Sequence, residues 1–260
     1  MASQLASDLA ALVSRRRALG LVGLGLGGLA AACNDGVVAR AATGGSCLAT
    51  PTEIRGPFPA DGTNGGRRTI SVFGEQGLVR RDIRSSFAGM SGTADGIPLE
   101  LELRVVGVDG CTPMAGAAIY LWQCDALGEY SLYTIASENY LRGMQAADAD
   151  GMVRFSSIIP GCYGGRCPHF HFEAFASLDA ASHGRNSLLV SQVAFPTEEL
   201  NRAYRDPRYG NSLANLRRWP MERDWMFAGD SDEEMAWQTV QLSGDPASGY
   251  KGEATVGLSS

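Results

Sequence analysis

Two of the chain's three histidines, His169 and His171, lie one residue apart. On a β-strand, residues two apart point to the same face of the sheet, so both imidazoles would converge there. Imidazole nitrogens are common metal ligands, and the pair therefore predicts a metal site; two hydrogen-bonded structural histidines are the alternative. Glu173 would share that face, which leaves a two-histidine, one-carboxylate iron site open. His183 follows a polar stretch and is predicted to be solvent-exposed.

The elements that must position these histidines are predicted to be short β-strands. Residues Pro98–Val106 alternate between apolar and polar side chains, which indicates a half-buried strand. A short helix is predicted over Thr197–Tyr204, with Thr197 as its N-cap. Many short strands of this kind predict an all-β fold, a mostly antiparallel β-sandwich. The other predicted strands are Ala117–Gln123, Met152–Ser156, Pro168–Phe175, Leu188–Phe195, Trp237–Leu242 and Tyr250–Val256.

The composition is typical of a globular protein, because 45% of the 260 residues are hydrophobic and 19% are charged. The net charge of -6 argues against nucleic acid as a partner. Residues 34–55 are small and polar without periodicity, and we expect them to form a linker and entry arm. One β-sandwich domain is then predicted over residues 56–260.

Residues 1–33 have the layout of an export signal. Three arginines at positions 15–17 precede an apolar run, Ala18–Ala32, which is shorter than the roughly 20 residues of a spanning helix. The arginines before the run are similar to a twin-arginine signal. Cys33 follows small residues, as in a lipoprotein cleavage site, which leaves a lipid anchor at Cys33 open. The protein is therefore predicted to be exported to the periplasm, the cell surface or the extracellular space.

Several segments match one known family in order and spacing. In that order they resemble the intradiol ring-cleavage dioxygenases, which include catechol, hydroxyquinol and protocatechuate dioxygenases. The resemblance covers roughly residues 47–200 and is closest to the exported, signal-bearing branch of the family. The matching segments are residues 115–130, Leu141–Gln145, Asp148–Gly151, the Pro-Gly-x-Tyr-x-Gly-Arg-x-Pro-His-x-His run at 160–171, and the Gly-Pro-aromatic element within Arg55–Gly62.

The resemblance implies a mononuclear, non-haem ferric iron held by Tyr130, Tyr163, His169 and His171. An unperturbed tyrosine ionises near pH ~10, but a trivalent cation favours its phenolate as an anionic oxygen donor. Tyr133 lies close to Tyr130 in the sequence and is its rival for the ligand position.

The resemblance also implies roles in catalysis. Arg166 would stabilise negative charge on a bound catecholate, Gln192 would steer the rearrangement that follows, and Tyr163 would take a substrate proton. The implied reaction uses O2 to cleave a catechol or hydroxyquinol-type ring between its two hydroxyl-bearing carbons, giving a cis,cis-muconate type diacid. One alternative is an exported, non-enzymatic β-sandwich that binds carbohydrate or a protein. Another is a cupin-like metalloprotein that uses the two histidines and Glu173.

The cysteines near the ligand segment depart from the pattern of the cytoplasmic family members. A disulfide between Cys162 and Cys167 would stiffen the ligand loop, whereas one between Cys124 and Cys162 would join the two tyrosine-bearing segments. Both pairings are hypotheses, because an oxidising compartment favours disulfides without fixing their partners. The candidates are Cys47, Cys111, Cys124, Cys162 and Cys167.

Two further departures concern the pocket and the assembly. Gly164 and Gly165 supply no bulky wall after Tyr163, which predicts an open pocket for larger or polymer-linked catechols. The helical dimerisation region of the catechol dioxygenases has no counterpart in residues 34–60, so no oligomeric state is predicted.

Overall fold

Two β-sheets dominate the computed structural model, which describes residues 47–64 and 69–259. The strands are β1 (Pro98–Gly107), β2 (Thr112–Pro113), β3 (Ala118–Trp122), β4 (Arg142–Ala146), β5 (Met152–Ile158), β6 (His169–Phe175), β7 (Leu189–Ala194), β8 (Gln241–Asp245) and β9 (Gly249–Leu258). One sheet has the order β2-β1-β9-β8, with β5 also paired to β1, and the other has the order β4-β3-β6-β7. Among these strands only β1 and β9 pair in parallel. The mostly antiparallel arrangement agrees with the prediction.

The core between the sheets follows from the alternating pattern of β1. Leu99, Leu101 and Leu103 are at most 1% exposed, and they belong to the same buried cluster as Phe170 and Phe172 of β6. Burying each such side chain contributes about 1.5–3 kcal/mol, so the pattern alone favours two sheets with their apolar faces together. The predicted β-sandwich is confirmed.

Three short helices lie between the last strands. Helix α1 begins at Thr197, but its N-cap is Pro196 and no side chain caps it, so the prediction that Thr197 is the N-cap is wrong. Pro196 has extended backbone angles and stands where the chain turns into the helix, which leaves Thr197 in the first turn. The helices are α1 (Thr197–Ala203), α2 (Ser212–Arg218) and α3 (Asp232–Trp237).

The strand predicted over Trp237–Leu242 is wrong in its first half. Trp237 ends α3, and β8 begins only at Gln241. The helix begins with a capping box, in which the hydroxyl of Ser231 accepts from the backbone N–H of Glu234 and the Glu234 carboxylate accepts from that of Ser231. These two bonds satisfy backbone donors that a helix start otherwise leaves unpaired, and they favour helix over strand here.

The N-terminal arm, residues 47–64, contacts both sheets. Cys47 forms a disulfide with Cys111, next to β2. Thr50 donates its backbone N–H to a carbonyl of β9 at 3.0 Å, and Glu53 donates to a carbonyl of β7 at 2.9 Å. The arm therefore crosses from the edge of one sheet to the other, and its later residues reach the outer face of the sheet that carries the histidines.

The other three cysteines in the described part are free and buried, so both disulfide hypotheses are wrong. The thiol of Cys124 donates to the carbonyl of Gly161 at 3.5 Å, and that of Cys162 donates to the carbonyl of Arg166 at 3.5 Å. Each of these sulfurs thus faces a backbone oxygen. We call Cys124, Cys162 and Cys167 the three buried thiols.

No helix in the described part of the chain is both long and apolar enough to cross a membrane. The predicted export signal (residues 1–33), the anchor position Cys33 and the first part of the predicted linker lie outside the described residues.

Candidate metal centre

Strand β6 brings the two histidines together, as predicted. Phe170 and Phe172 point into the core between the sheets, so His169 and His171 stand on the opposite face. Both histidines are buried, at 1% and 3% exposed. In the sheet register, His171 lies between Trp122 of β3 and a residue of β7.

Four side-chain donor atoms meet at this face. The Nε2 atoms of His169 and His171 are 3.1 Å apart. The hydroxyl of Tyr130 lies 3.4 Å from Nε2 of His171, and that of Tyr163 lies 3.4 Å from Nε2 of His169. The two hydroxyls are 3.5 Å apart. Ligand bonds of about 2 Å in a four-coordinate site separate the donor atoms by about 3.3 Å, so these four atoms fit one metal ion.

The surroundings of the histidines direct their Nε2 atoms toward that ion. Nδ1 of His169 lies 2.7 Å from the carbonyl oxygen of Cys167 and must donate to it, which leaves the lone pair on Nε2. The His171 ring stacks on Trp122, with centroids 4.9 Å apart and planes inclined by 5°. Near His171, Gly56 approaches so closely that a Cβ there would lie 3.2 Å from Cε1 of the imidazole. The ring is therefore held by an indole and by the N-terminal arm.

Burial sets the charge of the four groups. Desolvation lowers the pKa of His169 to about 3 and that of His171 well below its ordinary value, so both imidazoles are neutral, as metal ligands must be. Desolvation also raises the pKa of Tyr130 and Tyr163 above the ordinary value. A cation is what would favour the phenolates here, and two phenolates with two imidazoles form a donor set of the kind that suits ferric iron.

Tyr130 is positioned by the turn that precedes it. One carboxylate oxygen of Asp125 accepts the backbone N–H groups of Leu127 and Glu129 at 2.9 and 3.0 Å, which closes the loop just before the tyrosine. After it, the buried guanidinium of Arg142 donates to the backbone and the hydroxyl of the residue that follows Tyr130. Both sides of the tyrosine are thus fixed by buried charged groups.

The rival Tyr133 is engaged elsewhere. Its hydroxyl accepts the backbone N–H of Ala60 at 2.9 Å and the side-chain amide of Asn64 at 2.8 Å, both in the N-terminal arm. Of the two tyrosines, the structure therefore brings Tyr130 to the histidines and uses Tyr133 to hold the arm.

Tyr163 lies on the loop before β6, and α2 anchors this loop. The hydroxyl of Ser212 accepts the backbone N–H of Cys162 at 2.9 Å, and Asn215 donates its amide to the Cys162 carbonyl at 2.7 Å. Gly128 approaches so closely that a Cβ there would lie 3.0 Å from Cβ of Tyr163. Tyr163 is half-buried, whereas Tyr130 is only 2% exposed.

Arg166 and Gln192 lie together, and a residue that the sequence did not reveal joins them. Nη2 of Arg166 donates to Oε1 of Gln192 at 2.7 Å, while Nε donates to both oxygens of Asp224 at 2.9 and 3.0 Å. Asp224 is fully buried and also accepts the backbone N–H of Cys167 at 2.6 Å. Since 58 positions separate Arg166 from Asp224, no local motif could have indicated the pair.

Glu173 faces the same side as the histidines but is bound to the N-terminal arm. Its Oε1 accepts from Nε of Arg55, which also lies 2.9 Å from Asp61. Burial and a hydrogen bond with Asp61 raise the pKa of Glu173 to about 9. Across residues 47–64 and 69–259, no group of three or more His, Cys, Asp or Glu side chains is arranged to hold a metal ion, which speaks against the two-histidine, one-carboxylate alternative.

His183 does not join the site. It is half-buried, contrary to the prediction that it is exposed, and its Nδ1 accepts the backbone N–H of Arg185 at 3.1 Å. This bond caps the short 3-10 helix Gly184–Asn186.

A two-sheet sandwich with a pair of histidines and a pair of tyrosines on one outer face defines a class of non-haem metalloprotein. A family model described as Dioxygenase matches residues 72–201, which is half of the chain. This chain belongs to the intradiol ring-cleavage dioxygenase family.

Two relatives give the scale of the likeness. The chain is 36% identical over 77 residues to a 6-chlorohydroxyquinol 1,2-dioxygenase of Cupriavidus pinatubonensis; the match spans 29% of this chain and 28% of that relative's length. The fold is similar to that of an intradiol ring-cleavage dioxygenase from Tetranychus urticae, with a TM-score of 0.62 and 23% identity over 82% of this chain and 95% of the other.

Proposed function

We propose that this protein is a non-haem ferric dioxygenase that cleaves a catechol-type ring between its two hydroxyl-bearing carbons. The reaction consumes one O2 and gives a cis,cis-muconate type diacid; both oxygen atoms enter the product, so no external reductant is needed. The observation that carries the proposal is the ring of four donor atoms, spaced 3.1 to 3.5 Å apart, contributed by Tyr130, Tyr163, His169 and His171.

When bound to these four residues, ferric iron supplies a Lewis acid that binds both hydroxyl oxygens of the catechol in deprotonated form. Tyr163 is the ligand best suited to give way to the substrate, because it is half-buried on a loop while Tyr130 is enclosed. Its freed phenolate oxygen then takes a proton from a substrate hydroxyl.

Arg166 and Gln192 act on the charge that the substrate develops. The guanidinium is held by Asp224 and Gln192, so it presents a fixed positive charge to the anionic substrate without needing to reorient. Gln192 is fixed in turn, since its amide donates to the carbonyl of Ile54 at 2.7 Å. We assign Gln192 to orienting the substrate during ring cleavage.

Hydroxyquinol-type and catechol-type rings are the substrates to test first, because the C. pinatubonensis relative is named for a chlorinated hydroxyquinol. The test is a visible spectrum of the iron-loaded protein before and after either ring is added, with O2 consumption followed in parallel. We expect a red-brown tyrosinate-to-iron band that shifts with substrate. A protein that stays colourless after iron loading would overturn the proposal and return the sandwich to the class of binding modules.

The ligand assignment is tested with three tyrosine variants. Tyr130→Phe and Tyr163→Phe should each change the colour and lower the turnover. Tyr133→Phe is the matched control, since its hydroxyl bonds to the N-terminal arm, and it should keep the wild-type band. A band lost in Tyr133→Phe but kept in Tyr130→Phe would contradict the assignment.

We also propose that the protein is exported. The arginines at 15–17 and the apolar run after them support this, and the Cys47–Cys111 disulfide suits an oxidising compartment. Fractionation of cells that express the full chain, and of cells that express a variant with lysines at positions 15–17, tests the proposal. Equal amounts of both proteins outside the cytoplasm would argue against a twin-arginine signal.

A further inference from the structure

One exposed aromatic side chain lies beside the candidate site. Trp225 is 40% exposed, and its ring centroid lies 5.4 Å from Cζ of the buried Arg166. Most large apolar side chains of the described residues are buried, so an exposed indole at this position calls for a partner. The exposed large apolar side chains in the described part are Val79, Leu127, Leu188 and Trp225.

The backbone around Trp225 is fixed. Its neighbours Asp224 and Met226 are 0% and 2% exposed. The Asp224 carboxylate accepts the N–H of Met226 at 2.9 Å, and the Asp224 carbonyl accepts those of Phe227 and Ala228 at 3.1 and 2.9 Å. The same carboxylate holds Arg166, so the indole and the guanidinium are positioned by one buried group.

The loop that carries Tyr163 leaves room next to this aromatic surface. A Cβ added to Gly164 or to Gly165 would meet no atom within 4 Å, so the chain after Tyr163 borders open space. A ring bound at the four donor atoms and beside Arg166 could therefore carry a large substituent without a clash at this turn.

We propose that Trp225 is a specificity-determining residue that stacks on a planar, apolar substituent of the catechol, such as a second aromatic ring. This inference rests on the proposed function, because the catechol itself must occupy the four-donor site. An exposed indole offers a large, flat surface to a second ring, and aromatic stacking adds to the burial of apolar area. The substrate class is thus an aryl-substituted catechol, and not the unsubstituted ring.

The experiment compares catechol with 4-phenylcatechol on the iron-loaded protein. Steady-state kcat and KM are measured for both, and binding is measured separately by anaerobic titration of the visible band. For Trp225→Ala, we expect the KM and dissociation constant of 4-phenylcatechol to rise about 10-fold more than those of catechol, with kcat little changed. Trp225→Phe should recover most of the preference, because it keeps an aromatic face.

Leu188→Ala is the matched control. Leu188 is 56% exposed, but it lies at the far end of β7 from Gln192, where its N–H donates to the carbonyl of Ala174. This variant should leave both substrates unaffected, and thermal melts of all variants show whether they fold.

The outcomes separate the two proposals. If the wild type cleaves catechol but Trp225→Ala changes both substrates by the same factor, the inference is wrong and the proposed function stands. An equal change in Leu188→Ala would also overturn it. If the iron-loaded wild type neither binds nor cleaves either ring, the proposed function fails and the inference fails with it.

Discussion

The ion pair between Arg166 and Asp224 permits a sharp test of how the candidate site is supported. Both side chains are buried, at 10% and 0% exposed. The Asp224 carboxylate accepts from Nε of Arg166 and from the backbone N–H groups of Cys167 and Met226. Truncating it by Asp224→Ala removes the counter-charge of a buried guanidinium and leaves two backbone donors without their partner.

Removing one member of a buried ion pair lowers the free energy of unfolding by about 3–5 kcal/mol, because the remaining charge stays desolvated. For a domain of this size, each kcal/mol lowers the melting temperature by about 2–4 °C, so Asp224→Ala should melt about 6–20 °C below the wild type. Asp224→Asn should lose less, because it keeps the volume and one acceptor oxygen.

The assay is urea unfolding of the variants in the presence of a chelator, so that metal binding does not contribute to stability. Asp82→Ala is the control: Asp82 pairs with Arg84 at 2.6 Å, but both side chains are well exposed, at 49% and 39%. An exposed pair contributes about 0–1 kcal/mol.

A second arm of the experiment removes both charges. The double variant Arg166→Met with Asp224→Ala should be more stable than Asp224→Ala alone, because no uncompensated charge remains. If Asp224→Ala loses no more than Asp82→Ala, or if the double variant is less stable than Asp224→Ala, the account of a buried, mutually dependent pair is refuted.

Two other predictions concern the ligand surroundings. Gly56→Ala should weaken iron binding about 10-fold in competition with a chelator, since strain at positive φ adds to a contact 3.2 Å from His171 Cε1; Gly74→Ala, also at positive φ but with no atom within 4 Å, should bind iron like the wild type. Equal losses in both would show that strain alone acts. The three buried thiols should resist iodoacetamide in the native protein and react in urea, because burial raises the pKa of each, while Cys47 and Cys111 map as one disulfide peptide. A thiol that reacts equally fast in both states would contradict its burial.

The elements that the sequence predicted well are those whose signal is local. The alternation along β1 fixes which face is buried, whatever the strand pairs with, and the His-x-His spacing does the same for β6. The family resemblance supplied Tyr130 and Tyr163, because both lie inside matching segments. The choice between Tyr130 and Tyr133, three residues apart, depends on a turn and on the arm, so contacts decided it.

The helix that ends at Trp237 shows how a local signal can mislead. Trp237, Val240 and Leu242 suggested a strand, yet the chain changes from helix to strand within that window. The capping box of Ser231 and Glu234 was readable upstream and is the stronger signal, because it satisfies two backbone donors that only a helix start leaves unpaired.

The support of the site was not predictable, and the reason is sequence distance. Tyr163, His169 and His171 lie within nine consecutive residues, so one motif contains them. Their supports come from far away: Asp224 lies 58 positions after Arg166, and Arg55 lies 118 positions before Glu173. In the sequence these are charged residues in polar segments, no different from dozens of exposed ones; only burial sets them apart. Because a buried charge without its partner is strongly unfavourable, each support must be kept together with the residue it holds. It follows that substitutions at such positions should alter the site as severely as substitutions within the motif, although no motif contains them.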